Sequence, residues 1–143
     1  MTKADLAETC FADGFMCSQA VLSAFADDLG LPRPTALKIA EAFGGGMGLG
    51  ETCGAVTGAL MVIGLKHGRT EADDDHAKER TKELTRQFIE QFRARHDTVV
   101  CKALLNTDVS TPQGLQHARD TGLFDTLCPL FVRDAAEIVE SLL

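Results

Sequence analysis

The stretch "GGGMGLGETCGAVTGALMVIGL", residues 44–65, decides the fold. It couples a glycine run to a lone cysteine and then to an apolar segment. A phosphate-cradling P-loop would end in Gly-Lys-Ser or Gly-Lys-Thr, whereas Glu51 follows Gly50 here. A dinucleotide fingerprint needs G-x-G-x-x-G after a strand, and neither spacing nor strand is present. The strongly apolar run Ala59–Leu65 is seven residues long, against about twenty for a membrane-spanning helix. What remains is a tight interhelix turn feeding a buried helix. Residues 51–65 are apolar nearly all round, as a central core helix is, and His67-Gly68 supplies its stop.

Helical periodicity continues outward in both directions. Leu6 and Cys10 mark a short first helix that stops at Gly14, and Val21, Leu22, Phe25 and Leu29 share a face that ends at Gly30 and Pro32. Pro34, Leu37, Ala40 and Phe43 carry a third helix up to the glycine run. Residues 71–96 form a long charged helix with the stripe Ala77, Thr81, Leu84, Phe88 and Phe92, its acidic "EADDD" placed where the helix dipole favours negative charge. Val99–Leu105 is a short helix, Thr111-Pro112 opens another, and Pro129 starts the last, with Val132, Ala135, Ala136, Val139, Leu142 and Leu143 turned inward. No strand pattern is evident. The expected fold is all-α: a single domain over residues 1–143, a bundle of about six to eight helices around a buried central helix at about 51–66.

Composition narrows the function. The chain has 143 residues, 45% hydrophobic and 24% charged, with a net charge of −7 and no Trp or Tyr. A chain of this length buries roughly 70% of its extended surface and needs no staple. Acidic charge opposes binding to a phosphate backbone, and the missing Trp and Tyr remove the usual stacking platforms, so nucleic acid is not an expected partner. The N-terminal "MTKADLAETCFADGF" has no continuous apolar core of a secretory signal. A cytoplasmic location is therefore expected, and there stable disulfides are rare.

Five cysteines then need an account: Cys10, Cys17, Cys53, Cys101 and Cys128. No two have C-x-x-C spacing. Four of them fall in or beside the first turn of an expected helix: Cys17 opens "CSQAVLSAF", Cys53 "CGAVTGALM" and Cys101 "CKALL", and Cys128 precedes Pro129. Unpaired N–H groups and the positive dipole end there stabilise a thiolate, the nucleophilic and metal-binding form. The effect is worth about 0.3–2 kcal/mol, or roughly 0.2–1.5 pKa units. Burial and Glu51 oppose it at Cys53. Cys10 sits late in its helix and reads as packing. Gly54 and Gly58, four apart with Ala55 beside them, present a small-residue face that admits a neighbouring backbone or a bulky inorganic group.

With these parts in place, the chain resembles the redox-active proteins named for the C_GCAxxG_C_C pattern. The resemblance rests on "GFMCSQAVLSAF", "FGGGMGLGETCGAVTGALMVIGL", "CKALL" and "LCPLF". It maps the four pattern cysteines onto Cys17, Cys53, Cys101 and Cys128, and the central motif onto Cys53, Gly54, Ala55 and Gly58. Two features depart from it: Cys precedes Gly in "TCGAVTG", and Cys10 has no counterpart. The resemblance implies redox activity and, from the gene neighbourhoods of such proteins, a redox or transport-associated partner.

Three readings stay open at this stage. Redox chemistry at the four cysteines would run either as dithiol–disulfide exchange or through an iron–sulfur cluster held by the same thiolates, with Gly54, Ala55 and Gly58 allowing its close approach. Lys102 and Arg133 are the cations nearest the later two cysteines in sequence. Zinc held by four thiolates is the second reading. A binding module with packed cysteines, forming a homodimer through apolar helix faces, is the third. His67, His76, His96 and His117 read as surface residues, with no Ser-His-Asp set among them.

Overall fold

The computed structural model describes residues 1–143. The helices are α1 (Lys3–Ala12), α2 (Cys17–Ala26), α3 (Arg33–Ala40), α4 (Gly54–His67), α5 (Asp75–His96), α6 (Cys101–Leu104), α7 (Pro112–Asp120), α8 (Leu123–Thr126) and α9 (Cys128–Leu142). Since α6 and α8 are single turns, seven are substantial. No strand forms, and none of the helices is long and apolar enough to cross a membrane.

The expected all-α fold is the observed one. The helix pair α2 and α4 forms the middle of the bundle. α1, α3 and α9 pack on α2, while α5 and α9 pack on α4. One continuous core joins Val21, Leu22, Val56, Ile63, Phe88, Phe92, Val132 and Val139. α4 buries Ala55, Val56, Ala59, Val62 and Ile63 completely, yet Leu60 and Met61 are only half-buried and Leu65 is exposed. Its all-round apolarity thus exceeds what the bundle covers.

Local chemistry sets the boundaries. Thr2 and Asp5 cap α1 reciprocally, the Asp5 N–H donating to Thr2 Oγ1 at 3.0 Å and the Thr2 N–H to Asp5 Oδ2 at 2.9 Å. Asp74 and Thr111 accept from the first-turn N–H groups of α5 and α7. The start of α2 has no side-chain cap, so its leading N–H groups need another acceptor.

The α2–α4 contact depends on small residues. A Cβ at Gly58 would lie 2.8 Å from the Ser18 carbonyl oxygen, and one at Gly54 would lie 3.1 Å from the Ser18 nitrogen. Polar groups buried on α2 are satisfied: Ser18 Oγ donates to the Ala40 carbonyl at 2.7 Å, and Gln19 Nε2 donates to that of Leu37 at 2.9 Å.

Between α3 and α4 the chain makes a left-handed excursion. Gly45, Gly46, Met47 and Gly48 have φ of 63°, 61°, 63° and 71°, and the Glu51 N–H closes the turn onto the Gly46 carbonyl at 3.2 Å. Three glycines take this geometry freely, whereas Met47 pays about 1–2 kcal/mol for it. Immediately afterwards Thr52 pairs with Val100 in one antiparallel bridge. The Cys53 N–H donates to the Val99 carbonyl at 2.7 Å, and the Cys101 N–H donates to that of Glu51. This bridge holds the start of α4 beside the start of α6, although nearly fifty residues separate them in sequence.

Two histidines depart from the surface reading. His96 Nε2 lies 2.7 Å from Asp134 Oδ2, with its ring between Phe92 and Phe131 at 4.9 and 5.0 Å. His67 has its Nε2 buried without a partner, and desolvation lowers its pKa. The amphipathic pattern of α5 hid the first, because the Asp134 partner comes from α9.

Candidate thiol site

Cys17, Cys101 and Cys128 are the first residues of α2, α6 and α9, and Cys53 is the cap residue before α4. All are free thiols. Cys53, Cys101 and Cys128 are buried, while Cys17 is half-buried. The structure gathers all four into one region, but they are not equivalent.

Cys17 is the centre of the arrangement. The Cys53 thiol and the backbone N–H groups of Gly45, Cys17 and Ser18 are the groups near its sulfur that favour the thiolate. The Cys53 hydrogen bond is the largest influence, and together these donors outweigh burial and bring Cys17 from an ordinary 9.0 down to about 7. A Cβ at Gly54 would lie 3.3 Å from the Cys17 sulfur, so the glycine after Cys53 also leaves room for Cys17.

The other thiols move the opposite way. The neighbouring Cys17 sulfur and full burial disfavour ionisation of Cys53, so its pKa rises well above the ordinary value. Burial, helped by the nearby negative Cys17, pushes Cys101 to about 11. Burial also pushes Cys128 up to about 12, with smaller contributions from Cys17, Cys101 and Asp125. At neutral pH Cys17 is the one thiol of the four that is substantially ionised.

Cys17, Cys101 and Cys128 face a common cavity of about 860 Å³, together with Gly44 and with Gly45 and Gly48 of the left-handed run. Cys53 stands behind Cys17 and does not line it. Gly54 and Gly58 are turned to α2, and Ala55 is fully buried. None of these three residues lines the cavity either.

No three Cys, His, Asp or Glu side chains converge as ligands of one metal ion, and Cys53 does not line the cavity. Of the two cations near the later cysteines, Lys102 lies 3.9 Å from Glu51. Arg133 is held by Asp5 and Glu8 of α1 at 3.0 and 2.8 Å. Cys10 borders a separate cavity of about 290 Å³ and receives hydrogen bonds from Ser23 and Arg33 at 3.5 and 3.6 Å.

Sequence reasoning missed Gly45 as a donor, because a left-handed N–H aimed at a distant sulfur has no local spacing signature. The signal available was the glycine run itself, which a plain turn does not require at that length. The aromatic cavity wall was also missed, since Phe11, Phe15 and Phe124 come from three separate segments.

A thiolate in contact with a protonated second thiol is the minimal set for disulfide exchange. No curated protein and no solved structure gives a significant match to the chain. A family model described as "Putative redox-active protein (C_GCAxxG_C_C)" matches residues 15–142, from the segment before Cys17 to the end of α9, and the chain belongs to that family.

Proposed function

We propose that the protein is a thiol–disulfide oxidoreductase in which Cys17 attacks and Cys53 resolves. The observation that carries this reading is the placement of Cys17 at the start of α2 beside the Cys53 thiol, the neighbour that does most to bring Cys17 down to about 7. In the first step the Cys17 thiolate attacks one sulfur of a substrate disulfide R–S–S–R′. A Cys17–S–S–R bond forms, and R′S⁻ leaves with the electron pair of the broken S–S bond. In the second step Cys53 loses its proton to the departing thiolate and attacks the Cys17 sulfur. The Cys17–Cys53 disulfide forms and the second thiol is released. Two cysteines are oxidised and one disulfide is reduced to two thiols, so atoms and electrons balance.

Each protein group has a task in this sequence. The N–H groups of Gly45, Cys17 and Ser18 hold the attacking sulfur ionised and fixed in place. The raised pKa of Cys53 keeps its proton until Cys17 is consumed, when the negative neighbour that disfavoured its ionisation disappears. Cys101 and Cys128 stay protonated on the cavity wall.

Stoichiometric reaction of the reduced protein with a small disulfide tests the reading. The wild type releases both thiols of the probe for each Cys17–Cys53 pair. Cys53→Ser stops at the mixed disulfide and releases one, and Cys17→Ser loses the fast phase altogether. Full two-thiol release from Cys17→Ser would contradict the assignment.

A further inference from the structure

The cavity in front of Cys17 says what kind of disulfide the site takes. Its volume of about 860 Å³ lies within the range of small-molecule pockets. Its wall carries half-buried Phe11, Phe15, Leu115 and Phe124 and buried Leu105 and Val109. Few charges reach it, and they nearly cancel. Glu8 is engaged by Arg133 at 2.8 Å, which leaves Arg119 and Asp125, one of each sign. Cys101 is 8% exposed and Cys128 7%. Cys17 is reached from the cavity side, so a disulfide must enter the cavity to meet it. A charged peptide disulfide would lose hydration against aromatic walls without finding partners.

We propose, on the basis of the dithiol reading above, that this cavity is the substrate site and that its substrate is a small, uncharged, apolar disulfide. The substrate's body lies against Phe11, Phe15, Leu115 and Phe124, and its S–S bond points at the Cys17 sulfur. The reaction is the one already written: the apolar disulfide is cleaved to two thiols, and Cys17 and Cys53 are oxidised to their disulfide.

The test uses the reduced full chain and two neutral probes, the aromatic 2,2′-dithiodipyridine and the hydrophilic bis(2-hydroxyethyl) disulfide. Each rate is divided by that probe's rate with free dithiothreitol, which removes its intrinsic reactivity. Burial of the apolar body on the cavity wall raises the normalised rate of the aromatic probe by about tenfold or more. Its rate saturates with concentration while that of the hydrophilic probe stays linear. Leu115→Glu, at a half-buried wall position, lowers the normalised rate of the aromatic probe and abolishes its saturation. Equal normalised rates without saturation in the wild type would overturn the substrate class while the Cys17–Cys53 reading stands. No reaction of Cys17 with either probe would overturn both. The wild-type comparison decides the matter even where Leu115→Glu fails to fold.

Discussion

Replacing Cys53 by alanine is the sharpest perturbation of the site, because it deletes the largest single influence on Cys17 and little else. Cys17 falls from 9.0 to about 7 with the Cys53 hydrogen bond as the first cause. At pH 7 the wild-type sulfur is therefore about half ionised. Losing the donor moves Cys17 back toward 9, where about 1% is ionised at the same pH. Ionisation alone would slow reaction at pH 7 by about fiftyfold. A more basic thiolate is also a better nucleophile, with a Brønsted slope of about 0.4–0.5, and two pKa units return roughly an eightfold gain. The net expectation at pH 7 is a rate lower by about sixfold, with a higher plateau at alkaline pH. Truncating one buried sulfur costs about 1 kcal/mol, too little to unfold a domain of this size. The assay is the pH–rate profile of Cys17 alkylation by iodoacetamide, read on the Cys17 peptide by mass spectrometry. Cys53→Ser keeps a hydroxyl donor and should give an intermediate midpoint, which separates hydrogen bonding from packing. A wild-type midpoint near 9, or a Cys53→Ala profile that overlays the wild type, would refute the reasoning.

Three further outcomes follow from the geometry. Gly58→Ala would place a Cβ 2.8 Å from the Ser18 carbonyl oxygen, a backbone atom that cannot step aside; thermal unfolding should show a loss of about 1–3 kcal/mol. Gly46→Ala and Gly48→Ala impose similar left-handed strain, but only the former meets a neighbour, at 2.4 Å from the Glu51 nitrogen. Gly46→Ala should therefore be the more destabilising of the two, and equal losses would argue against the tight turn. Burial raises Cys101 from 9.0 to about 11 and Cys128 to about 12. Stability from these neutral thiols is therefore full below pH 9 and is lost as pH rises through 11–12, because the unfolded chain ionises first. Urea midpoints should fall over that window, and less steeply in Cys101→Ala.

How far the sequence reaches depends on which contacts are local. Many helix boundaries were legible because their causes are local: Thr111-Pro112 caps α7, and Leu84, Phe88 and Phe92 repeat at helical spacing and are buried, whereas α5 starts at Asp75 rather than 71 and α4 at Gly54 rather than 51. The set of four helix-start cysteines was legible for the same reason. What could not be read was how the four divide. That division rests on the bridge between Thr52 and Val100 and on a glycine N–H turned toward α2, and both are tertiary contacts without local pattern. Gly54 and Gly58 illustrate the converse. A small-residue face is visible in sequence, but what approaches it is decided by packing, and here it is the backbone of α2 at Ser18. His96 follows the same rule, since its partner Asp134 lies on another helix.

The central claim is that Cys17 and Cys53 form the working pair. Its most direct test is peptide mapping under non-reducing conditions after reaction with one equivalent of a small disulfide, with every remaining thiol alkylated. The account predicts one intramolecular disulfide, Cys17–Cys53, with Cys10, Cys101 and Cys128 recovered alkylated. A disulfide joining Cys101 to Cys128, or a stable mixed disulfide on Cys17 with Cys53 still free, would contradict it.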